Sequence, residues 1–171
     1  MLFRLISSHV HGLLCLLACV AVDIACSLAQ FSTLCSLVKE YKLEDFLATP
    51  TPYAFKTLFA PTDKAFENLD VEFRTTLTSD PEAIINVLKY HVAPGNFSYE
   101  DLECGTPIPM ATDGGDSTTT VCGNDGLFYQ IGSGVSPGVP TLPTITKEGI
   151  STCYGTIHTI DEVMIPRYVH S

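Results

Sequence analysis

The sequence has few basic residues, and few charged residues of any kind. Lysine and arginine number nine against 19 acidic residues, which gives a formal net charge of −10, and charged residues make up 16% of the chain. Proteins that bind nucleic acid set clustered basic side chains against the phosphates, and anionic membranes attract the same kind of patch. The composition therefore argues against nucleic acid and anionic lipid as partners.

Sequence motifs of common enzymes and metal sites are missing as well. The chain contains no G-x-S-x-G, no H-E-x-x-H and no phosphate-binding glycine loop. It has no C-x-x-C pair, which argues against a structural zinc site. There is no internal repeat, and a length of 171 residues favours one domain. We expect a single domain with no catalytic residues, no metal and no cofactor.

The longest apolar run lies near the N-terminus and predicts a secretory leader. Arg4 precedes the apolar run Gly12 to Val22, which is too short for a membrane span of about 20 residues. Ser27 and Ala29 place small residues at positions −3 and −1 of a cleavage site before Gln30. These features together are typical of a secretory signal peptide.

The leader sets the predicted domain organisation. We expect a signal peptide over residues 1–29, one domain over 30–167 and a short tail over 168–171. The tail is polar and carries no hydrophobic signal for a glycolipid anchor. We predict a secreted, extracellular protein with no membrane span after cleavage. An uncleaved anchor, or a bacterial lipoprotein signal at Cys19, remains an alternative.

Four cysteines remain after the predicted cleavage: Cys35, Cys104, Cys122 and Cys153. An even number in an oxidising compartment indicates disulfides, and four cysteines allow three pairings. We favour Cys104–Cys122, which closes a glycine- and threonine-rich segment, and Cys35–Cys153, which joins the first helix to the last strand region. In the chain-entropy model, the Cys104–Cys122 bridge closes a loop of a size that stabilises the fold by about 3 kcal/mol.

Helical patterns lie mainly in the first half of the chain. An amphipathic pattern predicts a helix over Thr33 to Leu47, and Thr62 or Asp63 is expected to cap the helix that follows a short buried strand. Asp80 and the proline after it predict the start of another helix, which ends before a Pro-Gly turn.

Strand patterns lie mainly in the second half. The segments Ser117 to Cys122 and Leu127 to Ile131 flank a Gly-Asn-Asp-Gly turn and predict a hairpin, and alternation predicts a last strand over Thr156 to Ile165. Asn96 begins an Asn-Phe-Ser sequon and is a candidate glycosylation site. Helices followed by strands favour the α+β class.

Three ordered motifs resemble those of the fasciclin domain family. They are TLFAPTDKAF at Thr57 to Phe66, LKYHVAPG at Leu88 to Gly95, and GTIHTIDEVMIP at Gly155 to Pro166. The resemblance covers the chain from about Phe31 to Pro166, although Tyr154 stands where the family commonly has asparagine. It implies a wedge of two β-sheets, about seven strands in all, with several helices packed along one side. It also implies an extracellular role in cell adhesion and matrix attachment through matrix proteins or cell-surface receptors. We therefore predict non-catalytic binding of protein or glycan in an extracellular matrix or cell wall.

The resemblance assigns roles to two groups of residues. A Tyr-His pair with bulky apolar neighbours has been interpreted as a receptor-recognition segment, so the candidate partner-binding residues are Tyr90, His91, Val87, Leu88 and Val92. The residues expected to be structural are Phe59, Pro61, Thr62, Asp63, His158 and Asp161. The alternative function is a metal- or histidine-dependent carbohydrate-binding protein or hydrolase built on the two histidines and Asp161.

Overall fold

The computed structural model describes residues 20–47, 55–112, 114–134 and 142–167. Residues 1–19 of the predicted leader and the tail 168–171 lie outside these ranges. The helices are α1 (Ala21–Cys26), α2 (Ser32–Glu40), α3 (Glu44–Leu47), α4 (Asp63–Glu67), α5 (Val71–Ser79) and α6 (Pro81–Tyr90), with 3-10 turns over Ala29–Phe31 and Tyr99–Asp101. The strands are β1 (Lys56–Pro61), β2 (Val92–Pro94), β3 (Pro107–Pro109), β4 (Ser117–Cys122), β5 (Phe128–Ile131), β6 (Ile145–Thr152) and β7 (Gly155–Ile160).

The described strands form two sheets. The first has the order β2-β1-β7-β6, in which β1 and β7 run parallel and the outer pairs are antiparallel. The second is the antiparallel sheet β3-β4-β5, and its β4–β5 hairpin confirms the predicted one. An isolated bridge between Tyr129 of β5 and Thr144, just before β6, connects the two sheets. The α+β class and the two-sheet arrangement predicted by the resemblance are confirmed.

The two central strands of the first sheet, β1 and β7, are covered on both faces, which explains why they lack a solvent-facing side. Leu58 and Ala60 of β1 pack with the helices in one apolar cluster, whereas Phe59 belongs to a second cluster with residues of the other sheet. Every residue of β7 is buried. Alternation of side chains across a strand therefore separates two cores here, not a core from solvent.

The predicted helix over Thr33 to Leu47 is two helices, α2 and α3. The helical conformation is interrupted at Lys42, whose φ of 55° is left-handed. The backbone N–H of Leu43 then donates to the carbonyl of Val38. This turn buries Leu43 at 8% exposure. The amphipathic pattern continues through the break because both helices present apolar residues to the same core, so the pattern did not reveal the turn.

The predicted last strand over Thr156 to Ile165 ends at Ile160. The following residues, Asp161–Pro166, form an irregular segment that we call the C-terminal strap. Val163, Met164 and Ile165 of the strap are all buried. Their side chains enter the core without strand pairing, which alternation alone could not distinguish from a strand.

The structure supports one of the two favoured disulfides and corrects the other. Cys104 and Cys122 are joined, across 18 residues of sequence. Cys35 pairs with Cys26, not with Cys153, so the Cys35–Cys153 pairing is wrong. The reason is that Cys26 ends α1, which packs against α2 and brings the two cysteines to a Cα–Cα distance of 5.5 Å. The predicted cleavage before Gln30 places Cys26 in the removed leader.

We expect the double variant Cys104→Ser/Cys122→Ser to lose about 3 kcal/mol of stability, because the unfolded chain regains the freedom of the closed loop. Urea unfolding of variant and wild type measures the difference. A loss below about 1 kcal/mol would show that the bridge does not constrain the unfolded chain as proposed.

Candidate functional site

The central motif lies at the C-terminal end of α6. The carboxylate of Asp80 accepts the backbone N–H groups of Glu82 and Ala83, and Pro81 occupies the first turn, as predicted. Val87 and Leu88 face the core. The helix ends at Tyr90 and leads directly into β2, so the two motif side chains lie where helix, both sheets and the C-terminal strap meet.

His91 is a buried connector with both ring nitrogens occupied. The backbone N–H of Met164 in the C-terminal strap donates to Nε2 at 3.0 Å, so Nδ1 carries the proton and donates to the carbonyl of Val87 at 2.7 Å. Burial lowers the pKa of the imidazole to about 4, against an opposing effect of the bond to Val87. A neutral ring with no free nitrogen can neither bind a metal nor transfer a proton.

Tyr90 makes the corresponding connection to the second sheet. Its hydroxyl donates to the carbonyl of Ser117 at the start of β4 and accepts the backbone N–H of Ser133 after β5, both at 2.7 Å. Burial raises the pKa of this phenol, although the bonds from Ser133 oppose the shift. The Tyr-His pair therefore ties the end of α6 to the second sheet through one side chain and to the C-terminal strap through the other.

All five candidate partner-binding residues are buried. Tyr90, Val87, His91 and Val92 are at most 1% exposed, and Leu88 is 5% exposed. A partner could contact them only after local opening of the domain. Their recognition role stays a prediction, and their direct contacts are internal.

His158 is the second motif histidine, and it too is internal. Its ring stacks on Phe59, with centroids 5.4 Å apart, and its Nε2 lies 2.8 Å from the carbonyl of Phe97. Nδ1 is buried and has no hydrogen-bond partner within the described ranges. Burial lowers the pKa of the ring, partly offset by the bond to Phe97. The ring is thus kept neutral between the first sheet and the segment after β2.

The first motif provides caps for two helices. Thr62 accepts the backbone N–H of Ala65 and caps α4. Asp63 instead reaches α2, where it accepts the hydroxyl of Ser32 and the backbone N–H of Thr33, each at 2.7 Å. Burial would raise the pKa of this carboxyl, but the hydrogen bonds from Thr33 and Ser32 outweigh it and leave the pKa below its usual range.

Asp161 and Pro61 close the top of the first sheet. Pro61 ends β1 opposite Ile160 of β7. Asp161 accepts the backbone N–H of Thr144 at 2.6 Å, and its own N–H donates to the carbonyl of Thr144. The carboxylate therefore fixes the residue that precedes β6 by accepting its backbone N–H.

Asn96, the predicted glycosylation site, lies at the surface. It is exposed and follows Gly95 at the turn after β2. Its Oδ1 accepts the hydroxyl of Thr156 at 2.8 Å, which holds the side chain by its oxygen. The nitrogen that would carry a glycan has no hydrogen bond to the described part of the chain.

The arrangement gives no support to the metal or hydrolase alternative. In the described ranges, no group of three or more His, Cys, Asp or Glu side chains could hold a metal ion. Sequence reasoning missed the partners that explain the motif, namely Ser117, Ser133 and the backbone of Met164. These contacts are mostly through backbone atoms, which leave no residue-type signal.

Comparison with known proteins identifies the family. The fasciclin domain profile matches residues 29–166. The chain belongs to the fasciclin family. An uncharacterised Synechocystis protein, sll1735, is 42% identical over 144 residues, which are 84% of this chain and 96% of that protein. Human periostin is 30% identical over 138 residues, 80% of this chain, and the match spans only 15% of periostin.

A solved structure confirms the fasciclin fold. The FAS1 domain pair of the insect cell adhesion molecule fasciclin I superposes with a TM-score of 0.64 at 15% identity, covering 84% of this chain and 50% of that one. No helix among the described residues is long and apolar enough to cross a membrane. Because both the profile and the fold match, the motif contacts described above are contacts within a fasciclin domain.

Proposed function

We propose that this protein is a secreted adhesion module that binds matrix or cell-surface proteins or glycans without catalysis. The observation that carries the proposal is the fasciclin profile match over residues 29–166, which accounts for most of the chain. Two further features support it. The disulfides Cys26–Cys35 and Cys104–Cys122 suit an oxidising compartment, and the motif histidines are buried.

The relatives support an adhesive role and not a particular partner. The protein with the matching fold is named as an insect cell adhesion molecule, and periostin contains a related segment. The net charge of −10 favours partners that present basic or uncharged surfaces.

A solid-phase attachment assay tests the proposal. The purified folded protein is immobilised and exposed to cells or to matrix extract, with reduced and denatured protein as the control for non-specific adhesion. We expect saturable binding to the folded protein alone. Equal binding to the folded and denatured forms would contradict a binding function of the domain.

The same assay tests the candidate partner-binding pair. Because Tyr90 and His91 are buried, we expect Tyr90→Phe and His91→Ala to lower the melting temperature and to keep attachment at temperatures where each variant remains folded. Loss of attachment with an unchanged melting temperature would instead assign direct recognition to the pair.

Glycosylation of Asn96 is a separate part of the proposal, supported by its exposure at the surface. We expect protein secreted from a eukaryotic host to lose mass on treatment with an amidase specific for N-linked glycans, and Asn96→Gln protein to show no such loss. An identical mass before and after treatment of the wild type would refute the modification in that host.

A further inference from the structure

The helix α1 is built into the core, although it lies within the predicted signal peptide. Ala25 is fully buried and Val22 is 7% exposed, and both belong to the apolar cluster between the helices and the first sheet. The helix also contacts β7. Signal peptides are removed before the mature protein functions, so a core helix within such a segment contradicts cleavage after it.

The disulfide provides a second, independent observation. Cys26 at the end of α1 is bonded to Cys35 of α2, and Cys35 is 8% exposed. Cleavage before Gln30 would remove Cys26 and leave a thiol at Cys35 in the core. It would also remove the apolar side chains of Val22 and Ala25 and expose the surface they cover.

The local structure at the predicted cleavage site agrees with an internal position. Ser27 is the residue that follows α1, and its hydroxyl donates to the carbonyl of Ile24. Ala29 begins the 3-10 turn that leads to Phe31, which is fully buried. The small residues Ser27 and Ala29, which resemble a cleavage signal, therefore occupy a tight helix-to-helix connection, where small side chains are also expected.

We infer that the secreted protein keeps α1, and that removal of the leader takes place N-terminal to Ala21. The folded domain then begins at α1 and not at Gln30. Asp23 in the first turn of α1 stabilises this helix, because a carboxylate there complements the positive end of the helix dipole. The inference rests on the proposed secretion.

The direct test is the N-terminus of the protein made from the full-length chain. The chain is expressed with its own leader in a secretory host, and protein from both medium and membranes is digested without reduction and analysed by mass spectrometry. We expect an N-terminus at or before Ala21 and a peptide containing Cys26 linked to one containing Cys35. An N-terminus at Gln30 would overturn the inference. A chain found only in membranes with its leader attached would keep α1 and contradict the proposed secretion instead.

A matched pair of chains tests the same inference through stability. An unrelated leader is fused before Ala21 in one and before Gln30 in the other, and Cys26→Ser/Cys35→Ser in the longer chain separates loss of the bridge from loss of the helix. We expect the shorter chain to melt lower by on the order of 10 °C, or to be retained in the cell, and to have its Cys35 thiol open to alkylation, whereas Cys35 of the longer chain stays bonded to Cys26. Equal melting temperatures, with Cys35 of the shorter chain resistant to alkylation, would overturn the inference.

Discussion

Replacing His91 by alanine is expected to destabilise the domain by about 3–5 kcal/mol at neutral pH. The change leaves the carbonyl of Val87 and the N–H of Met164 buried without partners, each at a cost of about 1–3 kcal/mol, and adds a cavity. His91→Gln is the matched control, because its amide can both donate and accept. We expect it to lose clearly less than the alanine variant in urea unfolding. Similar losses for both variants would show that hydrogen bonding by His91 contributes little.

His91 also makes stability depend on pH in a defined direction. Its pKa is lowered to about 4 in the folded protein, whereas an unfolded histidine titrates near 6.5. Between these values the unfolded chain binds a proton that the folded chain does not, so stability falls as the pH falls. The contribution is fully present above about pH 6.5 and is lost by about pH 4, a change of about 3 kcal/mol.

The comparison of wild type with His91→Gln isolates this effect. His158 shifts in the same direction and carboxylates titrate near pH 4, but both contributions are common to the two proteins. We expect the wild type to lose stability more steeply than the variant between pH 6.5 and 4.5. Parallel pH profiles would contradict a buried neutral His91.

Gly155→Ala is expected to cost at least about 3 kcal/mol or to prevent folding. Gly155 has a φ of +147°, and a Cβ at this position would approach the backbone oxygen of Lys56 in the neighbouring parallel strand β1. Both the backbone conformation and the contact exclude a side chain. The first residue pair of the parallel β1–β7 ladder, Lys56 with Gly155, would have to separate. The same ladder holds Phe59 beside His158.

Gly105→Ala is the control for Gly155. Gly105 also has a positive φ, of +78°, but a Cβ there would have no atom within 4 Å. We expect Gly105→Ala to cost only the strain of placing alanine at a positive φ, about 1–2 kcal/mol. Thermal unfolding of both variants gives the comparison. Equal effects would show that the contact with Lys56 relaxes and that the close strand approach is not a constraint.

Local features were predictable from the sequence where one short segment contains the whole signal. Asp80 and Pro81 marked the start of α6, and the Gly-Asn-Asp-Gly turn marked the β4–β5 hairpin. The pairing Cys104–Cys122 was favoured because the two residues bound one loop. The two-sheet arrangement came from the fasciclin motifs, since parallel pairing of β1 with β7 joins segments about a hundred residues apart and leaves no local pattern.

The errors also have physical causes. Of the two cap candidates, Thr62 caps α4, whereas Asp63 bonds to the start of α2, some 30 residues earlier, a contact that no local pattern reveals. Lys42 adopts a left-handed conformation that its residue type does not announce. The buried strap after Ile160 continued the apolar alternation without pairing. The roles of Tyr90 and His91 depend on backbone groups of distant segments, so residue types alone could not separate recognition from structure.

The central claim is that the Tyr-His motif is an internal junction of the fasciclin domain, and the ionisation of His91 tests it most directly. Nitrogen-15 NMR of the imidazole, recorded from pH 7.5 to pH 4, reports both its tautomer and its pKa. We expect a neutral ring protonated at Nδ1, with no titration until about pH 4. A ring that titrates near pH 6.5, in fast exchange between its two tautomers, would place His91 in contact with solvent and contradict the claim.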